Sequence, residues 1–301
     1  MNINFFKTTR ILDGGMGQEL LARGMKPNGT LWSANALIQE KYHPLLLDTH
    51  LDFIKSGAEV IVTNTFTLRR KRLRDNNIED KFIALNKKAG EIALKAKKLN
   101  PHILIAGGLP PQNNTYEADD REANEIKEDF YQQAKILNPF VYFFYFDVLS
   151  SLREFRIGIE AIKSLNKPYL IGAHISEGTK LPSNESISDI INKIKHQDLL
   201  GLMLSCVSPE NFQKNLSEIK SLGVPFGFKL NAFKTTISKN GYIAQYTKSN
   251  GNPNEFLGQR KDLTPENLAI IVKKFKDSGA TILGGCCETK PAHIKEIAKL
   301  K

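Results

Sequence analysis

The stretch Ile282-Leu-Gly-Gly-Cys-Cys-Glu288 places two of the chain's three cysteines side by side, behind a short apolar run and two glycines. Neighbouring side chains on a regular strand point to opposite faces. Both sulfurs therefore reach one centre only where the backbone leaves strand geometry, and Gly284-Gly285 permits that departure. The third cysteine, Cys206, closes another apolar run, Gly201-Leu-Met-Leu-Ser205. If the two strand ends are neighbours, three thiolates converge on a Zn²⁺ site with an open fourth position, the arrangement that catalytic zinc uses. Two plainer readings compete. The cysteines can be buried small hydrophobes, or a redox pair, against which stand the strain of a bridge between adjacent residues and the lack of a C-x-x-C spacing.

Whether the strand ends share a rim depends on the fold. Apolar runs of strand length alternate along the chain with longer stretches of helical period. The expected strands are Arg10–Asp13, Val60–Thr63, Ile103–Ala106, Val141–Phe146, Tyr169–Ala173, Gly201–Ser205, Phe226–Leu230 and Thr281–Leu283. The expected helices are Asp80–Leu99, Asn124–Leu137, Ser151–Leu165, Ile187–Ile194, Pro209–Leu222, Pro265–Asp277 and Pro291–Leu300. Pro209, Pro265 and Pro291 each suit a first helical turn, and Thr264 before Pro265 is an expected N-cap, with Glu266 favourable in the first turn.

Strands separated by helices imply a parallel sheet, open or closed. The segment Asp13-Gly-Gly-Met-Gly-Gln-Glu19 lacks the G-x-G-x-x-G spacing and later ribose carboxylate of a doubly wound nucleotide-binding sheet. Polar and reactive residues recur directly after the strands, where a closed barrel keeps its active site. The expectation is an α/β protein, one (β/α)8 TIM barrel domain over residues 1–301. Thr30–His50 and Lys234–Leu263 are then insertions at the face that carries the site.

Composition narrows the function classes. The chain has 301 residues, 41% hydrophobic and 25% charged, values of a globular domain. No apolar run approaches the roughly 20 residues of a membrane span, and Met1-Asn-Ile-Asn-Phe-Phe-Lys7 is too short and polar for a signal peptide. Three cysteines without framework spacing suit a reducing compartment, so the expected location is the cytoplasm. The net charge of +10 comes from lysines spread over helical stretches such as Lys87 to Lys98 and Lys273 to Lys276. Solvated faces account for these better than a nucleic-acid surface, for which no recognition motif is present. The denser run Arg69-Arg-Lys-Arg72-Leu-Arg74 either holds an anionic group or begins a solvated helix. The expected partners are small molecules, with no nucleic acid and no membrane; a homo-oligomer is compatible with the sequence.

Read together, several segments resemble the homocysteine S-methyltransferase family: Gly284-Gly-Cys-Cys287 with Pro291-Ala-His-Ile294, Leu12-Asp-Gly-Gly-Met-Gly17, and Gly57-Ala-Glu-Val-Ile-Val-Thr-Asn-Thr-Phe66. Leu31-Trp-Ser-Ala34, Leu152-Arg-Glu154, Cys206-Val-Ser-Pro-Glu210 and Asn231-Ala-Phe233 extend the resemblance over nearly the whole chain. It implies a zinc-dependent (β/α)8 barrel that methylates homocysteine to methionine, its thiolate held on zinc by three cysteines, which map to Cys206, Cys286 and Cys287. It also implies a glutamate after the fourth strand that binds the substrate ammonium; the matching position here is Asp147, one methylene shorter. Ser205 stands where the family commonly has asparagine, and Gly107-Gly108 replaces a usual serine.

The remaining candidates follow from the chemistry of that substrate. Asp13 is an expected partner of the ammonium, with a helix cap as its plainer role; Gly14 and Gly15 leave room for the ligand. Thr63, Asn64 and Thr65 end the second strand and either bind the substrate carboxylate or hydrogen-bond the backbone as turn residues. Asn231 ends the seventh strand and either orients substrate or caps the turn. His174 points to the same rim, whereas His293, at a helix start, is expected behind the ligands or at the surface. Aromatic faces suit an onium methyl donor, and the candidates are Trp32, Phe66 and Tyr116, with core packing as the rival role. S-methylmethionine, S-adenosylmethionine, betaine and dimethylsulfoniopropionate are all such donors. The competing reading of the whole is a non-catalytic or altered-specificity barrel that binds zinc and a small thiol.

Overall fold

The computed structural model describes residues 1–194, 197–236 and 257–301. It contains eight parallel strands: β1 (Arg10–Ile11), β2 (Val60–Val62), β3 (Leu104–Leu109), β4 (Phe143–Leu149), β5 (Tyr169–Ala173), β6 (Leu199–Val207), β7 (Phe226–Leu230) and β8 (Ile282–Gly285). Their order is β1-β8-β7-β6-β5-β4-β3-β2. A parallel bridge between Leu12 and Val60 joins the two ends, and the Asp13 N–H donates to the Val60 carbonyl at 3.1 Å. The sheet is thereby closed into the expected (β/α)8 barrel.

Eleven helices lie among the described residues: α1 (Met16–Ala22), α2 (Asn35–Ile38), α3 (His43–Lys55), α4 (Arg70–Arg74), α5 (Phe82–Leu99), α6 (Ala123–Leu137), α7 (Leu152–Ile162), α8 (Ile187–Ile194), α9 (Pro209–Ser221), α10 (Pro265–Asp277) and α11 (Pro291–Ala298). None is long and apolar enough to cross a membrane. Ser151, Ser208 and Thr264 each accept a hydrogen bond from a backbone N–H of the turn that follows, which satisfies an otherwise orphaned donor at the starts of α7, α9 and α10.

Strands covered on both faces read as continuous apolar runs, and every residue of β5 and β7 is buried. Leu12, Val62, Ala106, Tyr145, Leu170, Met203 and Ile282 pack inside the barrel. Phe6, from the 3-10 turn Ile3–Lys7, closes its N-terminal end and meets Phe143 edge-on at 5.9 Å. A larger cluster fills the layer between strands and helices, and a separate one forms around Leu31, Leu37, Leu46 and Leu85 beneath the Thr30–His50 insertion. Of the Lys234–Leu263 insertion, residues 237–256 lie outside the described residues.

β5, β7, α8 and α10 have the bounds that the sequence predicts. β4 and β6 run further, because their ladders continue past the apolar runs into the rim. Each carries a register shift there, between Asp147 and Leu149 and between Ser205 and Val207. The extra residues, Val148 and Cys206, have φ of +69° and +54°. Left-handed backbone is a strained place for a β-branched valine, and bulges beside active sites commonly re-aim a side chain.

The Arg69–Arg74 run proves to be consumed internally. It forms the short helix α4, with Arg74 paired to Glu79 at 2.7 Å, Lys71 to Asp75 at 2.8 Å, and the buried Arg69 donating to the Thr115 hydroxyl at 3.0 Å.

Candidate active site

The turn after β8 determines the position of the cysteine pair. Cys286 leaves the strand, and its N–H donates to the Leu230 carbonyl of β7 at 2.7 Å. The turn passes so close to the first strand's loop that a Cβ on Gly15 would lie 2.6 Å from the Cys286 carbonyl oxygen, and one on Gly14 would lie 2.6 Å from the Thr289 carbonyl oxygen. Gly14 and Gly15 line the cavity, as expected, but the close approach they admit is that of the Cys286–Thr289 backbone.

On the β6 side, the left-handed backbone at Cys206 turns its sulfur toward the same point. The three sulfurs lie within 4.8 Å of one another, with Cys286 and Cys287 at 4.0 Å. Four ligands at a Zn–S length of about 2.3 Å in a tetrahedron are separated by about 3.8 Å, so the donor set fits zinc. Cys206 is held well below the usual thiol range, because Cys286, Cys287, Tyr116 and Asn231 all direct hydrogen bonds at it. Beside that thiolate, Cys286 is pushed up to about 12 and Cys287 well above its ordinary value. The hydrogen bonds thus favour the thiolate at Cys206 over one at Cys286 or Cys287.

Around the sulfurs, the C-terminal mouth of the barrel holds a cavity with an aromatic and an acidic wall. Trp32, Phe66 and Tyr116 supply the first. Trp32 adopts φ +38° and lies against Gly17, where a Cβ would sit 2.3 Å from the indole. The Tyr116 hydroxyl is 2.8 Å from the Cys206 sulfur, and its ring stacks on His174 at 4.2 Å. His174 is fully buried, with burial lowering it to about 4. It supports Tyr116 and does not face the cavity.

Asp13 and Asp147 supply the acidic wall. Asp13 is not a helix cap: Gly15 occupies that position on α1. One Asp13 oxygen accepts from the Val62 N–H at 2.7 Å, and the other pairs with the Lys229 ammonium at 2.9 Å. Asp147 faces the same ammonium. Burial, first of all, raises it to about 7, with Cys286 and Asp13 adding to the rise and Lys229 opposing it. Lys229 itself is raised by these anions despite its burial.

Of the other expected residues, Thr63 and Asn64 line the cavity while Thr65 does not. Thr65 donates to the Gly108 carbonyl at 2.7 Å, and Thr63 accepts from the Gly108 N–H at 3.0 Å, so both tie β2 to β3. Asn231 stands behind Cys206, its amide 3.6 Å from the sulfur, also outside the cavity wall. His293 is buried rather than superficial; it accepts from the Lys290 N–H at 3.0 Å and its other nitrogen meets the Leu263 carbonyl.

The sequence reading did not single out Lys229 or Gln18, which also line the cavity. A signal for the first was present: a lysine inside Phe226-Gly-Phe-Lys-Leu230, on a strand with no exposed residue, has nowhere to point except a polar pocket or a counter-ion. Both amide atoms of Gln18 lack a protein partner; nothing in the sequence marked it.

A closed barrel with a cavity at its C-terminal mouth, where three thiols lie close enough to hold a metal ion, defines the site of a (β/α)8 enzyme. The sequence profile of the homocysteine S-methyltransferase family matches residues 10–300, and the chain belongs to that family of methyl-transferring enzymes. It is 25% identical to homocysteine S-methyltransferase 1 of Saccharomyces cerevisiae, over 96% of this chain and 92% of that protein. It is 24% identical to the selenocysteine methyltransferase of Astragalus bisulcatus, over 96% and 91%. The metallated form of the Escherichia coli homocysteine methyltransferase MmuM superposes with a TM-score of 0.78 at 20% identity, covering 97% of this chain and 96% of that one.

Proposed function

We propose that the chain transfers a methyl group from an onium donor to the thiolate of homocysteine, giving methionine, at a zinc centre held by Cys206, Cys286 and Cys287. The observation that carries this reading is the convergence of three thiols, drawn from two distant strand ends, beside an aromatic wall. Zinc bound there would keep an incoming thiol ionised at neutral pH. The protein's own residues then act by positioning. The aromatic wall places the donor's cationic centre, the acidic wall and Lys229 orient the amino-acid end, and a near-attack geometry supplies most of the rate. The substrate sulfur forms the new bond to carbon as the donor's sulfur or nitrogen takes the bonding pair, and no general base is needed. Asp13, Asp147, Thr63 and Asn64 are the proposed contacts to the amino-acid end, with Gly14 and Gly15 shaping its floor; Thr65 and Asn231 support them from behind.

Zinc-loaded protein incubated with homocysteine and each of the four donors, with methionine followed by mass spectrometry, tests the reading. Methionine from at least one donor supports it; tight homocysteine binding with no methionine from any donor favours a thiol-binding barrel instead. Trp32→Leu will raise the KM for the active donor about tenfold, the loss of a desolvated cation–π contact of roughly 1–2 kcal/mol, while the KM for homocysteine changes less than twofold. Equal changes in both would assign Trp32 to packing alone.

A further inference from the structure

Lys229 is the sole cationic side chain on the cavity wall among the described residues, and Asp13 and Asp147 are the carboxylates there. The lysine and Asp13 side chains are 7% and 3% exposed, and their 2.9 Å pairing leaves Asp13 with both oxygens engaged. A substrate ammonium would thus meet a neutralised Asp13 and a fixed like charge, with Asp147 as the one further carboxylate on the wall. A carboxylate would instead meet an ammonium that has three donors, one of them committed to Asp13.

We propose that Lys229 recognises the thiol substrate by its carboxylate and that the pocket does not require an α-ammonium, so that ω-mercapto-carboxylates are accepted alongside homocysteine. This rests on the thiol-methyltransferase reading above and specifies its substrate class. A charge-assisted contact of this kind changes affinity by about 10- to 100-fold.

Two analogues separate the ends of homocysteine: 4-sulfanylbutanoate lacks the amine, and 3-aminopropane-1-thiol lacks the carboxylate. Calorimetric titration of zinc-loaded protein will show 4-sulfanylbutanoate binding within about tenfold of homocysteine and 3-aminopropane-1-thiol at least about thirtyfold weaker. In Lys229→Met the carboxylate thiol will lose about 10- to 100-fold, and the aminothiol will gain as Asp13 is released. Because Lys229→Met leaves a buried carboxylate unpaired, the double variant Asp13→Asn/Lys229→Met, lacking both charges, provides the same carboxylate comparison if the single variant does not fold. The reverse order of the analogues, equal losses for both, or an unchanged affinity for the carboxylate thiol in the variants overturns the proposal while homocysteine binding persists. Binding of none of the three thiols overturns the thiol-methyltransferase reading with it.

Discussion

Replacing Cys286 by alanine will reduce bound zinc from near one equivalent to near none and lower methyl transfer by at least about a thousandfold. The magnitude follows from two losses. A free thiol of pKa about 8.5 is only a few per cent ionised at pH 7, so removing the metal alone costs roughly thirtyfold in nucleophile. Losing the fixed position of the sulfur removes part of an effective molarity that reaches about 10⁵ M in well-oriented reactions. Cys206→Ala should do the same, because it removes an equivalent proposed ligand, carried by β6 across β7 from the turn after β8. Metal content by mass spectrometry and initial rates measured on the same preparations check both. Full activity in a Cys286→Ala protein without metal would refute the zinc mechanism.

The metal-free trio adds a pH signature. Its neighbours favour the thiolate at Cys206, while Cys286 and Cys287 are shifted toward keeping their protons. Binding a metal must expel those protons, so affinity falls as the pH is lowered. Zinc titrations at pH 6 and pH 8 should show the weaker binding at pH 6.

The barrel was legible because its strands are buried on both sides and alternate with amphipathic helices. Tyr169–Ala173 and Phe226–Leu230 needed no correction. The cysteines were legible because three thiols at the ends of buried strands, two of them adjacent, suit a metal better than a packed core or a disulfide. What escaped the sequence was contact over long separations. Asp13 and Lys229 are 216 positions apart, and the pairing of β8 with both β1 and β7 brings them together. Taken alone, Asp13 read as free to bind a ligand; with Lys229 beside it, it is half of an ion pair. Thr65 and Asn231 were placed on the right rim, yet their hydrogen bonds run to Gly108 and Cys206. A strand-end position fixes where a residue lies, but the rim bulges and neighbouring loops decide where its side chain points. The glycines show the same division. Gly14-Gly15 was visible as a place of close approach, while the identity of the approaching chain was not.

Asp13→Asn will destabilise the protein by about 3 kcal/mol, because it removes the carboxylate hydrogen-bonded to the buried Lys229 ammonium and leaves only the non-bonded Asp147 nearby. The substitution keeps the shape of the side chain and an oxygen for the Val62 N–H, so the loss isolates the charge. Adding Lys229→Met should restore more than half of it, since a neutral pair of similar volume carries no desolvation penalty. The measurement is the urea midpoint of the four proteins in the cycle, read with the denaturant slope to confirm that the same surface unfolds. A single variant as stable as the parent would show that the pair is satisfied by something other than mutual contact. If the cycle closes as described, its coupling energy has a second meaning. It bounds the free energy that a substrate ammonium must supply to displace Lys229 from Asp13. A coupling of several kcal/mol would exceed what one solvated ammonium gains on entering the pocket, and Asp13 would then be closed to the amine, leaving Asp147 and the Lys229–carboxylate contact to hold the amino-acid end of the thiol.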